Sequence, residues 1–283
     1  MNWGDPTVIR VLLGAFFIGL AATLVGTFTF LQKRALVGDA ISHAILPGVV
    51  LAYWCSGERQ TWILLIGALI AGWLSSQQID WIIRKTKLKS DAAIAVVLST
   101  FFAFGLVGLS LLQAQPDEAQ SGLGDFLFGK IAAVSTQDVW LFGAISLAIV
   151  LGIVWKFKIL VGIAFNPEFL TVKGFSIPKN SFLLTSLTIL AIAIGIQAVG
   201  VVLMSALLII PVVCARMLTF RMIPLIGIAA LIGVFSSISG AFVSMQSSHM
   251  PTGPWIIAVL SGCLFFSVLV RWKSERLKQA KNG

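Results

Sequence analysis

The residues best suited to chemistry are an acid and an imidazole in an otherwise apolar segment, ALVGDAISHAILPGVVLAYWC. Asp39 and His43 are four residues apart, so on a helix their side chains share one face, about 6 Å apart along the axis. A carboxylate and an imidazole are ligand types that suit divalent manganese, iron and zinc. The pair therefore indicates a site for a divalent transition-metal ion.

Pro47 adds a backbone group to this candidate site. Proline has no N–H, so Pro47 cannot donate to the carbonyl of His43, and that oxygen is a candidate third ligand. Two other interpretations of Asp39 and His43 stay open. In one, they only hydrogen-bond each other or a neighbouring helix; in the other, they relay protons, because histidine titrates near neutral pH.

The only other histidine, His249, lies in the segment SMQSSHMPTGP between two apolar stretches. A histidine in such a loop is either a solvated side chain or a group that takes part in metal access or gating. We keep His249 as a third candidate metal residue.

The composition shows what kind of element must position these residues. The 283 residues are 58% hydrophobic and only 11% charged, whereas a water-soluble domain needs about a quarter charged. Nine apolar stretches are each long enough to cross a hydrocarbon core of about 30 Å, which predicts an all-α, polytopic membrane helix bundle. The nine predicted spans are Val11–Leu31, Ala35–Cys55, Trp62–Ile83, Ala92–Leu112, Val139–Phe157, Phe182–Val199, Val201–Leu218, Met222–Val243 and Gly253–Val270.

We therefore expect residues 1–283 to form a single transmembrane domain in a transport protein. The loops leave no room for a folded aqueous domain, and an ordinary soluble enzyme is excluded. No GxxxxGK[ST] phosphate loop occurs in the chain, so any ATP that drives transport is expected to bind a separate subunit.

The basic residues predict the orientation of the bundle. Of the 20 Lys and Arg residues, 17 fall in alternate loops and the C-terminal tail, and only Arg10, Arg59 and Lys130 fall on the other side. Because Lys and Arg concentrate on the cytoplasmic side, we expect the N-terminus outside and the C-terminus in the cytoplasm. This segregation accounts for the net charge of +9 without a nucleic-acid partner.

The sixth and seventh predicted spans are separated only by Gly200. They must form a very tight outer hairpin, or one of them must be a broken or re-entrant helix. The sequence leaves both arrangements open.

The predicted cytoplasmic segment at about 158–181 contains a short helix, Pro167–Lys173. Asn166 is a good helix cap, proline suits the first helical position, Glu168 complements the N-terminal dipole, and Gly174 can end the helix. Its apolar residues, among them Phe169 and Leu170, leave two possibilities. Either the helix packs under its own bundle, or it docks into a groove on another protein.

Several segments together resemble one family, the membrane-spanning permease subunits of bacterial ATP-binding-cassette importers for zinc, manganese or iron(II). GDAISHAILPG is the most specific of them. The others, in the family order, are SDAAIAVVLSTFFAFGLVGL, FLFGKIAAVSTQDV, FNPEFLTVKGF, VGVVLMSALLIIPVVCAR and the final PTGP.

The resemblance implies a homodimer in the bacterial plasma membrane, formed around a central pathway. It also implies two cytoplasmic ATPase subunits and an extracytoplasmic metal-binding protein that delivers the ion. Asp39 and His43 match the family's acidic and histidine positions in the second helix, and the residues from Asn166 to Gly174 match the segment that couples to the ATPase. Two positions depart from the family pattern: Leu170 replaces a smaller residue, and His249 stands where an acidic residue is common.

Two other functions stay as alternatives to the metal importer. An ion- or proton-coupled secondary transporter or channel would also use an intramembrane acid and histidine, but it would leave the capped helix at Pro167 unexplained. A permease for a metal chelate such as a siderophore or cobalamin would need no ligands for a bare ion. Asp39 and His43 therefore argue against a chelate.

Overall fold

The computed structural model describes residues 6–57, 60–113, 134–246 and 252–282, and in these residues the chain has eleven helices and no strand. The helices are α1 (Pro6–Leu31), α2 (Ala35–Ala44), α3 (Leu46–Ser56), α4 (Thr61–Lys85), α5 (Ser90–Gln113), α6 (Thr136–Phe165), α7 (Pro167–Val172), α8 (Ile177–Val199), α9 (Val201–Leu218), α10 (Met222–Ser244) and α11 (Thr252–Asn282).

The described helices supply eight spans that are long and apolar enough to cross a membrane, with α2 and α3 together counting as one of the eight. The apolar helix α9 is shorter and forms the ninth segment. The predicted all-α membrane bundle is confirmed, because every predicted span is formed by one helix or, for the second span, by two consecutive helices in the residues that the structure describes.

The second span is not the single helix that the sequence suggested. It is divided at Ile45 into α2 and α3, with Pro47 in the first turn of α3. The N–H of Ile45 still donates to the carbonyl of Ile41 at 3.0 Å, as in α2. The carbonyl of Ile45 accepts the first hydrogen bonds of α3, from the N–H groups of Gly48 and Val49. The break follows from the proline, which removes one donor from the helical ladder and crowds the preceding turn.

The fifth span is predicted to end at Phe157, and the helix that contains it continues beyond that residue. The helix α6 continues to Phe165, with a non-helical backbone conformation only at Lys156. Two lysines suggested that the membrane ended there, yet a lysine can extend its charged group away from an apolar helix. The predicted coupling segment 158–181 is therefore mostly helical: it comprises the end of α6, all of α7 and the start of α8.

The junction between the sixth and seventh spans is a tight turn. The helices α8 and α9 are continuous on either side of Gly200, whose φ of +86° is a left-handed backbone conformation that favours glycine. Behind the turn, Gly195 of α8 lies directly against the Met204 side chain of α9. Within the described residues neither helix is broken at this junction, as the hairpin arrangement requires.

The helix α2 has a central position in the bundle, because it contacts α1, α4, α5, α8 and α9 as well as α3. Its continuation α3 packs closely on α4, where the backbones of Gly48 and Gly67 meet with no room for a Cβ atom at either residue. The residues of the candidate site are thus placed on a helix that is surrounded by other helices of the bundle.

Candidate functional site

Asp39 and His43 lie one turn apart on α2, as their spacing predicted. The Oδ1 atom of Asp39 is 3.8 Å from the Nε2 atom of His43. The side chains keep 33% and 25% of their accessible surface, respectively, so both are partly open to the surroundings of the chain. They are neither sealed in the core nor fully exposed.

The pattern of residues along α2 explains why the pair is on the open side. Gly38, Ile41 and Ser42 form the buried face of the helix, and Gly38 lies against the side chain of Leu208 on α9. On a helical wheel Asp39 lies about 60° from Ser42 and about 100° from Gly38, and His43 lies about 100° from Ser42 and about 140° from Gly38. The small residue at position 38 therefore fixes α2 against α9 and turns the two polar side chains away from it.

The two side chains do not satisfy each other by a hydrogen bond. A separation of 3.8 Å exceeds the range of a direct hydrogen bond. No hydrogen bond reaches Asp39 from the described residues, and the buried Nδ1 atom of His43 has no partner among them. In this arrangement the two side chains face each other without a direct hydrogen bond between them.

The same separation is close to what a shared ion requires. Two ligand atoms at about 2.1 Å from one metal ion are roughly 3.0 Å apart at a right angle and roughly 3.4 Å apart at the tetrahedral angle. The observed 3.8 Å exceeds the tetrahedral spacing by only a few tenths of an ångström. A small rotation of either side chain would bring both atoms to one ion.

The charge on Asp39 is not neutralised by the nearest cation along the chain. Arg34, at the start of α2, forms an ion pair with Asp80 of α4 at 3.2 Å. That pair ties the turn before α2 to α4 and leaves Asp39 without an ion-pair partner other than His43 among the described residues. An unpaired carboxylate inside a membrane span favours a cation as its partner.

One aromatic ring fixes the orientation of the imidazole. The ring of Phe102 on α5 meets His43 edge to face, with the ring centroids 5.1 Å apart. On the same helix, Ser99 and Ser110 are exposed and lie on one side of α5, because eleven residues complete about three turns. The exposed side of α5 is therefore partly polar.

Three expectations about the metal ligands remain: the number of ligands, the carbonyl of His43 and His249. In the described residues there is no group of three or more His, Cys, Asp and Glu side chains that could hold a metal ion, so the pair alone is an incomplete coordination shell. The N–H of Ile45 is directed at the carbonyls of His43 and Ile41, so the His43 oxygen is less available than Pro47 suggested. His249 lies outside the described residues.

The second predicted feature, the short helix after α6, is present as α7. The Oδ1 atom of Asn166 accepts a hydrogen bond from the N–H of Phe169 at 3.1 Å, which caps the helix as expected. Pro167 and Glu168 occupy its first turn. Gly174 follows the helix with a φ of +80° and donates its N–H to the carbonyl of Thr171 at 3.0 Å.

The helix α7 packs on its own bundle through Leu170, as the first of the two predicted possibilities requires, and it also presents exposed apolar side chains. Leu170 is 7% exposed and lies against Gly162 of α6, where a Cβ atom would be 2.8 Å from the Cδ1 atom of Leu170. Phe169 and Val172 are 52% and 88% exposed. The large residue at position 170 is therefore accommodated by a glycine opposite it.

Three contributors to these sites were missed by the sequence reasoning. Phe102 comes from α5, Asp80 from α4 and Gly162 from α6. Only for Asp80 was there a signal, because an acid at the end of an apolar span next to a basic loop suggests an interface role. The other two are contacts between distant parts of the chain.

The comparisons with known proteins agree with this architecture. Residues 4–271 match the family model described as the ABC 3 transport family. The chain is 40% identical over 268 residues to the zinc transport system membrane protein TroC of Treponema pallidum, covering 95% of this chain and 90% of that protein. It is also 40% identical over 263 residues to the manganese transport system membrane protein MntC of Bacillus subtilis, covering 92% of this chain and 60% of that protein.

A solved structure shows the same fold. It is described as PsaBC from Streptococcus pneumoniae in complex with Fab, and its matching chain is 29% identical in sequence. The superposition covers 93% of this chain and 91% of that chain with a TM-score of 0.82. The fold of this chain is therefore shared by a protein of known structure.

Proposed function

Because the chain belongs to the ABC 3 transport family, we propose that it is the permease subunit of an importer that moves a divalent transition-metal ion into the cytoplasm. The chain is a multi-pass protein of the bacterial plasma membrane and a transport subunit, not itself an enzyme. The observation that carries the proposal is the unsatisfied, partly open pair Asp39 and His43, with its two ligand atoms 3.8 Å apart.

In this proposal the ion passes along the α2 and α5 surface between two copies of the chain. One copy supplies only a carboxylate and an imidazole within the described residues, so a second copy would complete the coordination with its own pair. The exposed serines of α5 support such an arrangement, because polar side chains within a membrane span favour a partner or water over lipid. An external metal-binding protein would deliver the ion to this pathway.

The substrate is most simply manganese or zinc. The relatives described above are a zinc and a manganese transport protein, and a carboxylate with an imidazole accepts either ion. Iron(II) fits the same ligands and stays as the third candidate. Their selection would depend on geometry and on the protein that delivers the ion.

The metal is identified by measuring cellular metal content. Cells that lack other importers for these ions are grown under starvation for manganese, zinc or iron, with and without the chain, and analysed by elemental mass spectrometry. The proposal predicts that the chain restores the content of one or more of the three. Equal content of all three with and without the chain would refute it.

Energy would come from ATP bound to a separate cytoplasmic subunit, through α7. Leu170 anchors the helix to α6, whereas Phe169 and Val172 point away from the bundle, as a helix that docks into a partner's groove requires. The basic end of the bundle, which includes Lys173, would then face the cytoplasm. This proposal places the N-terminus outside the cell.

Copurification tests this part independently of transport. The substitution Phe169→Ala should reduce the amount of ATPase that elutes with the full chain from its native membrane. Phe220→Ala is a suitable control, because Phe220 is 69% exposed in the loop between α9 and α10 but lies outside α7. Full transport activity of the chain alone in liposomes would instead support the secondary-transporter alternative.

A further inference from the structure

A basic cavity lies at the end of the bundle where the positive charges collect. It has a volume of about 530 Å³ and is formed by α4, the start of α8 and the turn before α2. Its charged lining consists of three cations, Arg34, Arg84 and Lys179, and one acid, Asp80. Arg34 and Asp80 pair with each other, so the cavity carries an excess of two positive charges.

The two remaining cations are available to a ligand. No ion pair reaches Arg84 or Lys179 from the described residues. Two cations from different helices that line one cavity repel each other unless an anion lies between them. The cavity is therefore complementary to an anion with at least one negative charge.

An apolar groove continues from this cavity along the same two helices. It has a volume of about 550 Å³, and its lining is almost entirely apolar. Trp73 and Phe182 line both spaces, with their rings edge to face and the centroids 6.1 Å apart. The groove is completed by Leu69, Ile70, Leu74, Ser186, Ile189 and Leu190.

The positions along α4 give the dimensions of the combined surface. From Arg84 to Leu69 the helix rises about 22 Å, so the groove reaches from the charged end well into the hydrocarbon core. Trp73 lies between the two parts, at the middle of α4 and about 16 Å along the helix from Arg84. The surface therefore has cations at one end and an apolar groove at the other, as an anionic headgroup and its acyl chain require.

We propose that this surface binds an anionic phospholipid from the leaflet at the basic end of the bundle. The phosphate lies between Arg84 and Lys179, and one acyl chain lies along the groove beside Trp73 and Phe182. Basic pockets between membrane helices are suited to anionic headgroups. A soluble phosphate would match the cations but would leave the apolar groove unused.

A lipid bound at this site would connect two helices close to α7. Lys179 is in the first turn of α8, seven residues after the end of α7 at Val172. A lipid held by Lys179 and Arg84 would join the start of α8 to the end of α4. The inference does not depend on the metal, and it holds whether or not the proposed function is correct.

Native mass spectrometry of the full chain tests the headgroup contacts. The chain is titrated with phosphatidylglycerol or phosphatidylcholine, and the fraction with bound lipid is measured. We expect tighter binding of phosphatidylglycerol, and roughly 30-fold weaker binding of it to the double variant Arg84→Gln/Lys179→Gln. The control Lys87→Gln/Lys89→Gln removes the same charge from the neighbouring loop, outside the cavity, and should bind like the unmodified chain.

Two further measurements separate a lipid from a soluble anion and from a folding defect. Ser186→Trp would fill the apolar groove and should reduce phosphatidylglycerol binding, while glycerol phosphate should not displace the lipid. Arg84→Lys keeps the charge and should retain binding within a few fold. The proposal is overturned if the two double variants bind alike, if phosphatidylcholine binds equally well, or if glycerol phosphate competes.

Discussion

Leu170 is the side chain by which α7 holds to the bundle, and its truncation should release this helix. It is 7% exposed and packs on Gly162 of α6. Replacing a buried leucine by alanine costs about 2–5 kcal/mol, and a helix of six residues can shift to close part of the cavity, so we expect about 2–3 kcal/mol for Leu170→Ala. Local opening of α7 should then become roughly 30- to 150-fold more frequent.

The glycine opposite allows a stricter test by a double-mutant cycle. A Cβ atom at Gly162 would lie 2.8 Å from the Cδ1 atom of Leu170 and 3.1 Å from its Cγ atom. Gly162→Ala should cost about 1 kcal/mol, because the flexible end of the leucine must move. With Leu170→Ala present, the new methyl group enters vacated space, so the double variant should be less destabilised than the sum of the single ones.

Backbone amide hydrogen exchange measures this opening directly and without a transport assay. The N–H groups of Lys173, Gly174 and Phe175 donate to carbonyls within α7 at 3.0–3.1 Å, so their exchange reports whether the helix is formed. Val172→Ala is the control on the same helix, since Val172 is 88% exposed and its truncation should leave exchange unchanged. Equal exchange in Leu170→Ala and the unmodified chain would refute the reasoning, as would an additive double variant.

Two predictions concern the stability of the bundle, measured as the thermal unfolding midpoint in detergent. Gly48→Ala should destabilise the bundle by about 1–3 kcal/mol, because the new methyl group would collide with the backbone of Gly67. Gly227→Ala is the control and should leave the midpoint unchanged, since no atom lies within 4 Å of the added Cβ. Equal midpoints for the two variants would contradict the close α3–α4 contact. Asp138→Ala should lower the stability of the bundle by about 1–2 kcal/mol, because it removes the capping box of α6 and the 2.8 Å hydrogen bond from Thr61. An unchanged midpoint would show that neither interaction contributes to stability.

The sequence alone predicted those features that depend only on neighbouring residues in the chain. Asn166 and Pro167 predicted the start of α7, because a cap and a first-turn proline act within a few residues. The spacing of Asp39 and His43 predicted one helical face for the same reason. Gly200 left two arrangements open, and its positive φ explains why a single residue is enough for the turn.

The sequence was insufficient where the answer depends on a distant residue or on the membrane boundary. Nothing near Leu170 indicates that Gly162 will lie opposite it, and nothing near His43 indicates the ring of Phe102. Lys156 suggested the end of a span, and α6 does change its backbone conformation there but continues as a helix to Phe165. The exact break at Ile45 also depends on how α3 packs on α4, which Pro47 alone does not determine.

The central claim is that a metal ion passes through contact with Asp39 and His43. The most direct measurement is the initial rate of radioactive manganese and zinc uptake in cells whose only importer for these ions contains this chain. Asp39→Asn and His43→Ala, assembled at the same level as the unmodified chain, should each lower the rate by about tenfold or more, whereas Asp91→Asn should not. Uptake at the unmodified rate in both variants would contradict the account.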